Sequence, residues 1–544
     1  MTDGLSRTLR MLRWVRPAQV LWRLWYRARL PLFASPFYRR RLGVGVGEAP
    51  SRAVPPLWPG DAAAGRLILA GRIRLLGVEM PLGEQPDWHP APRSPLWRFT
   101  LHYFEWLADL AATGDPAAAS RARGLVTDWW RRHGGTVAGE AWHPYPLSLR
   151  LVAWLRAAPF LLEEADGAFR LLFAEALHVQ ASHLAAVPER DVGGNHLIKN
   201  LKALAVVGAC LPGHGRRLVP ALTALRRQLR RQVLADGCHY ERSPAYHVQV
   251  LCDLVDLRTL LGEECPGWLT ATVERMAAAL MLFRHGDGRL AQFNDGDEGE
   301  PARLAALEGR LAPLPPAPAA LPAAGYWRLE RGRLVVILDA GRCCPDDLPA
   351  HAHADTLSFE LSDGPCRLVV NSGTYAYQDP VWRNRLRGTA AHSTLTVDEL
   401  DSAEVFGVFR LGRRPRRVEA KRNGWEISAS HDGYRHLGII HRRTVSLGSD
   451  GLAGEDVVEG AGGRRLAARF HLHPDLTVAF DPAGATLSAA GRRWRVTCEG
   501  GRLSLAGGVY SPHFGILRPA HCLVLDIGTA AEVSRLTWRI YREQ

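Results

Sequence analysis

The spacing of apolar residues changes once along this chain, near residue 312, and that change constrains the fold more than any other feature. Before it, Leu96, Phe99, Tyr103, Trp106, Leu107 and Leu110 follow the three-to-four spacing of one helix face. The same spacing returns over 147–162, 169–187, 197–210, 218–234, 246–261 and 268–283. Punctuation falls between these stretches, at Gly114 to Pro116, Gly134 and Gly135, Gly193 and Gly194, Pro212 and Gly213, and Gly286 to Gly288. Helices of similar length with short breaks predict stacked helical hairpins, as in a solenoid or an α/α toroid.

Residues 312–324 form a Pro/Ala-rich linker, the strongest domain boundary in the chain. Short alternating or β-branched runs follow at 325–329, 334–338, 357–361, 368–370, 394–397, 425–430, 444–447, 494–498 and 536–541. Turn residues separate them, and many short strands at close spacing predict an antiparallel β-sandwich. The expected architecture is an α/α toroid over residues 1–311, the linker 312–324, and a sandwich over 325–544.

Hydrophobic residues make up 47% of the 544 and charged residues 23%, which excludes a disordered chain. The net charge of +13 rests mainly on arginine, whose planar fork suits carboxylate and sulfate. A basic surface fits an acidic glycan, nucleic acid or anionic lipid, or serves solubility alone. No nucleic-acid module or concentrated basic tract stands out, so a nucleic-acid partner is not expected. Nine cysteines without a C-x-x-C pair, two of them the adjacent Cys343 and Cys344, argue against a disulfide framework or a zinc finger.

No uninterrupted apolar run is long enough for a transmembrane helix. The N-terminal segment 1–40 is rich in Arg and Trp and lacks both the continuous apolar core and the cleavage site of a secretion signal. A basic amphipathic helix of this kind either lies on a membrane surface or packs on its own domain. The expected location is cytoplasmic or membrane-peripheral rather than periplasmic.

Three constellations offer chemistry. In the first, Gly193 and Gly194 open a helix with Asn195 and His196 on its first turn, where free backbone amides favour an anion; a plain N-cap at Asn195 is the alternative. In the second, Ser243 and Pro244 cap and start a helix carrying Tyr246 and His247, with Arg242 just before the cap. A phenol near a helix start and an arginine has its phenolate favoured; an aromatic packed between helices is the alternative. In the third, His351 and His353 alternate just before a strand, so one imidazole is available for chemistry and the other for a metal or hydrogen bond. His353, Asn371 and His392 together could hold a divalent metal such as Zn or Ca, or form a hydrogen-bonded core network. Arg383, Arg385 and Arg387 are candidates for substrate contact or for a solvated charged face.

The ordered set Gly194-Asn-His196, 236–247, His351-Ala-His-Ala-Asp355, Asn371-Ser-Gly-Thr-Tyr375 and Ala391-His-Ser-Thr394 resembles the heparinase II/III-like polysaccharide lyases. The stretch from Trp142 to Arg150 fits as well, and the resemblance covers most of the chain. It implies a toroid followed by a sandwich, and β-elimination at the uronic acids of an acidic polysaccharide. Asn195, Tyr246 and His351 match the catalytic positions, with His196 a second candidate. His143, Tyr145, His196, Arg242 and Arg387 are then expected on the substrate. One position departs: the metal-ligand Asp common before Ser-Gly-Thr-Tyr is Asn371 here, so the implied structural metal is in doubt.

β-Elimination requires a donor to the uronate carboxylate, a base at C5 and an acid at the leaving O4. An amide serves the first need, and Tyr246 and His351 share the other two in either order. Two rivals are a glycoside hydrolase using carboxylates such as Glu241, Asp295 and Asp297, and a non-catalytic protein that binds or assembles an acidic glycan.

Overall fold

The computed structural model describes residues 2–43, 48–91 and 93–543. Contacts divide the chain into two compact units, one of residues 1–15, 232–249 and 274–544, the other of residues 16–231 and 250–273. Strands follow the helices from Ala320 on, after the helix Pro301–Leu311. The compact units nevertheless cut the helical part, because 232–249 and 274–311 group with the sheets. The linker is also shorter than expected, since Ala320–Leu321 is already a strand paired with Tyr326–Arg331.

The unit of 16–231 and 250–273 is helical apart from a hairpin of Arg72–Leu75 with Val78–Pro81. Its central helix, Pro144–Leu162, is buried on most sides and packs against Pro95–Tyr103, Gly167–Ala186 and Gly194–Cys210. The apolar stretch expected as one helix from Leu96 to Leu110 is two, Pro95–Tyr103 and Leu107–Ala112. Phe104 breaks it with φ 59°, which turns its ring into the core between Trp106 and Trp154. Two buried lysines are paired: Lys199 and Lys202 meet Asp253 and Asp256 at 2.8 Å each, which avoids the cost of a lone buried ion.

In the other unit two antiparallel sheets share one core. The first runs in the order 418–423, 426–431, 440–447, 451–459, 533–542, 492–499, 484–489, 477–481. The second runs 502–510, 518–529, 465–472, 366–370, 359–363, 334–339, 326–331, 320–321, with 395–397 added on 465–472. Alternation along Ile440–Leu447 turns every second residue inward, as the pleat requires. Phe359 and Phe470 from one sheet meet Trp538 from the other, with ring centroids 5.2 and 4.7 Å away. The strand expected from Leu357 begins at Phe359, because Leu357 has φ 66° and its N–H turns to the Asp339 carbonyl.

Candidate active site

Ser243 starts the helix Pro244–Leu261, its hydroxyl oxygen accepting from the Tyr246 amide at 3.2 Å and its proton going to the Asp295 carbonyl at 2.6 Å. This one side chain thus fixes Tyr246 and the 294–297 turn together. The Asp295 amide donates to the His351 carbonyl at 3.0 Å, which binds the H-x-H segment to the same turn. The result is a stack: the Tyr246 and His351 rings lie 3.8 Å apart, inclined by 30°.

Asp295 organises the rest. One oxygen faces His351 Nδ1 at 2.7 Å and the other faces His353 Nε2 at 2.9 Å. The two histidines of the alternating pair therefore share a single carboxylate. The Arg383 guanidinium also pairs with both oxygens of Asp295, and its Nη2 donates to Oδ2 at 3.0 Å. Burial opposes charge on Asp295, yet Arg383 and the two imidazoles outweigh it and hold its pKa well below the usual carboxylate range. His351 Nε2 lies 3.4 Å from Glu241 Oε2.

The Tyr246 hydroxyl shares a hydrogen bond of 2.9 Å with Tyr377, whose ring lies under the Arg383 guanidinium at 4.7 Å. Burial raises the Tyr246 pKa well above its ordinary value, and Tyr377 and Asp295 add to the rise. The sequence expectation of a favoured phenolate is therefore reversed. The helix start and Arg242 are outweighed by lost hydration and a nearby carboxylate.

In the helical unit a second cluster forms around Glu189, which is buried. His196 Nδ1 lies 3.0 Å from Glu189 Oε1 and His143 Nδ1 3.8 Å from the same oxygen. Asn200 donates to the other oxygen at 3.2 Å, and Tyr145 stacks on His196 at 4.2 Å. Three expected substrate contacts, His143, Tyr145 and His196, are thus brought together by a carboxylate that sequence reasoning missed. Asn195 is buried on the first turn of Gly194–Cys210. The cap is Gly193 rather than Asn195, because φ of 70° and 55° at Gly193 and Gly194 suits glycine alone.

Residues 78–312 match the family described as Heparinase II/III N-terminus, and residues 313–539 match Heparinase II/III-like, C-terminal. The chain belongs to the heparinase II/III-like family. It is 32% identical to FtsZ-localized protein C of Caulobacter vibrioides, over 94% of this chain and 93% of that protein. It is 26% identical to a heparin-sulfate lyase of Pedobacter heparinus, over 64% of this chain and 58% of that protein. A crystal structure of heparinase III shares its fold with a TM-score of 0.74 at 16% identity, over 97% of this chain and 92% of that one. A helical toroid followed by an antiparallel sandwich is the fold of this heparinase II/III-like chain.

The metal expected from the resemblance meets an unsuitable donor set. His353 Nδ1 and His392 Nε2 face each other at 3.1 Å, and His353 turns its other nitrogen to Asp295. Asn371 Oδ1 lies at the far nitrogen of His392, 3.2 Å from Nδ1, and already accepts from the Ser393 amide at 3.1 Å. The three side chains run in series and do not converge on one point, as ligands of one ion must. Among the described residues no group of three or more His, Cys, Asp or Glu could hold a metal ion. The residues as they stand do not fit the metal, and no step is derived through it.

Two expected substrate arginines have other partners. Arg387 is fully buried, with Nε on the Ala352 carbonyl at 2.9 Å and Nη1 on that of Val408 at 3.1 Å. It ties the H-x-H segment to the 407–410 turn, a strap the sequence could not distinguish from a binding residue. Arg242 donates to the Ala324 carbonyl at 3.1 Å, and its own carbonyl accepts from Tyr326 at 2.6 Å. Tyr377 and the pairing of Arg383 with Asp295 were missed; a polar Asn294-Asp295-Gly296-Asp297 turn after Phe293 was the available signal.

Proposed function

We propose that this chain is a polysaccharide lyase that cleaves a uronic-acid-containing polysaccharide by β-elimination. The stack of Tyr246 on His351, with Asp295 on the far nitrogen of the imidazole, carries the reading. With Asp295 accepting from His351 Nδ1–H, Nε2, which lies 3.4 Å from Glu241 Oε2, is the nitrogen that takes the proton. Tyr246, its pKa raised by burial, keeps its proton at neutral pH and can give it up to a developing alkoxide.

The bond changes balance between these two groups. His351 Nε2 removes the C5 proton, and the C5–H electron pair becomes the C4–C5 double bond. The C4–O4 bond breaks with its pair on oxygen, and O4 takes the Tyr246 proton. The enolate dianion that develops at the uronate carboxylate needs a neutral donor, a role we assign to the Asn195 amide on the family resemblance. Support for the substrate class comes from the heparin-sulfate lyase relative and the net charge of +13. Hydrolysis is less well supported, because Asp295 is committed to Arg383 and two histidines and is not a free acid or base.

The test is incubation with a panel of uronate polymers, heparan and chondroitin types included, followed by ultraviolet absorbance of the unsaturated product. Release of reducing ends without that absorbance would replace elimination with hydrolysis. A second reading is favoured by the relative named FtsZ-localized protein C, whose name is not that of an enzyme. On it the chain holds an acidic glycan or serves an assembly without cutting. Saturable glycan affinity with no product, unaffected by Tyr246→Phe, would select that reading.

A further inference from the structure

We propose that the helix Pro17–Phe33 docks this protein on an anionic membrane surface. At 100° per residue, its positions divide into three sectors. Trp22, Tyr26 and Phe33 face the helical unit. Phe33 packs on Tyr38 and His183 at 5.0 and 5.2 Å, and Arg190 covers Trp22 at 4.7 Å. Val20, Leu21, Leu24, Trp25 and Leu32 occupy a separate sector of about 140° and are all exposed, Leu21 at 66% and Leu24 at 59%. Arg16, Arg23 and Arg27 fall along one border of that stripe. The next helix, Pro36–Leu42, adds Phe37, exposed at 72%, with Arg40 and Arg41, while Arg39 pairs with Glu175 at 2.8 Å.

This face is a costly one to leave in water, since large apolar side chains stand exposed in one continuous row. Charge selects the occupant. Between Pro17 and Leu42 the chain has six arginines and no acidic residue. A second copy placed symmetrically on this face would bring like charges together, at a cost to the pair. A bilayer with anionic headgroups meets both needs: acyl chains take the leucines, headgroups take the exposed Arg27, Arg40 and Arg41, and Trp25 sits at the boundary. Among the described residues no helix is long and apolar enough to cross a membrane, so the contact lies in the interface plane.

The inward side of the helix holds the 187–192 segment that leads to Asn195. Arg23 Nε lies 3.4 Å from Asp191, and Arg29 reaches the Ala186 carbonyl at 3.5 Å. Docking would therefore set this segment directly beneath the membrane surface.

The test is flotation of the full-length protein with vesicles of phosphatidylcholine plus phosphatidylglycerol, against phosphatidylcholine alone. The protein is expected to float with the anionic vesicles, and added salt is expected to weaken binding. The pair Leu21→Glu with Leu24→Glu changes two exposed side chains and should keep the thermal transition while lowering binding at least about tenfold. Arg27→Ser with Arg41→Ser should reduce the preference for the anionic vesicles. Failure to float with anionic vesicles, or equal flotation of the leucine pair, would overturn the proposal. So would a dimer in sedimentation equilibrium that the leucine pair dissociates, which would give the face to a second copy. None of these outcomes depends on lyase activity.

Discussion

The Tyr246 ring lies on the His351 imidazole at 3.8 Å, while the phenol hydroxyl bonds to Tyr377 and the imidazole Nδ1 bonds to Asp295. Each ring is thus anchored through one polar atom, and the second imidazole nitrogen of His351, Nε2, lies 3.4 Å from Glu241 Oε2. Truncation of either removes a proton carrier and not a packing element of the sheet core. Tyr246→Phe and His351→Ala are each expected to lower turnover by about a hundred- to ten-thousand-fold. Far-UV circular dichroism should be unchanged. Product absorbance at matched enzyme concentration checks the first, and near-normal rates in both variants would remove the assignment.

Asp295→Asn separates positioning from proton transfer. The amide cannot balance Arg383, which is buried and bonded to both carboxylate oxygens. It also no longer dictates which His351 nitrogen carries the proton. Turnover should fall with little change in KM, and stability should drop by about 3–5 kcal/mol, the cost of leaving a buried charge unpaired. Urea unfolding with parallel kinetics measures both. A variant of normal stability would mean that Arg383 is balanced by other groups.

Part of this arrangement is legible in the sequence, and the parts that are not share a cause. Ser243 and Pro244 announce a helix start by local chemistry, so the placement of Tyr246 followed from its neighbours in sequence. Long amphipathic helices such as Leu218–Gln232 are similarly local. Asp295, Glu189 and Tyr377 act through residues more than fifty positions away or across a turn, and no periodicity reports such meetings. Arg387 misled because a charged residue near a motif reads as a ligand for substrate, whereas here it satisfies carbonyls of turning backbone. The strand Arg502–Tyr510 escaped notice because Gly507 and Gly508 interrupt its pattern, although its partner Arg518–Thr529 pairs with it along its whole length.

Acid should weaken the sandwich through Asp456. This carboxylate is fully buried, with Arg443 Nε and His441 Nε2 each 2.7 Å from Oδ1, and Trp538 Nε1 3.0 Å from Oδ2. Burial disfavours its charge, but Arg443 and His441 outweigh burial and hold the pKa below the usual range. An unfolded Asp titrates near ~3.9. The stabilisation is therefore complete above that value and is lost as pH falls through the lower folded value. Urea midpoints measured from neutral to acid pH should decline over this window. In Asp456→Asn the acid decline should be shallower and the neutral midpoint lower.

Restoring a carboxylate at position 371 is the sharpest test of the metal question. We propose that His353 and His392 are held here by hydrogen bonds in series, ending on the Asn371 amide oxygen. A neutral amide is a weak ligand, and its oxygen already serves the Ser393 amide and His392. Asn371→Asp supplies a negative oxygen beside His392, and a turn of the His392 and His353 rings toward it would complete the mixed nitrogen and oxygen set that zinc accepts. After chelation and reloading, the Asn371→Asp variant should retain about one zinc per chain and gain thermal stability on loading, because a ligand bound only by the folded state stabilises it. The natural chain should show neither effect. If the natural chain itself takes up zinc and its melting temperature rises, Asn371 is a competent ligand and the serial hydrogen-bond arrangement is not the resting state.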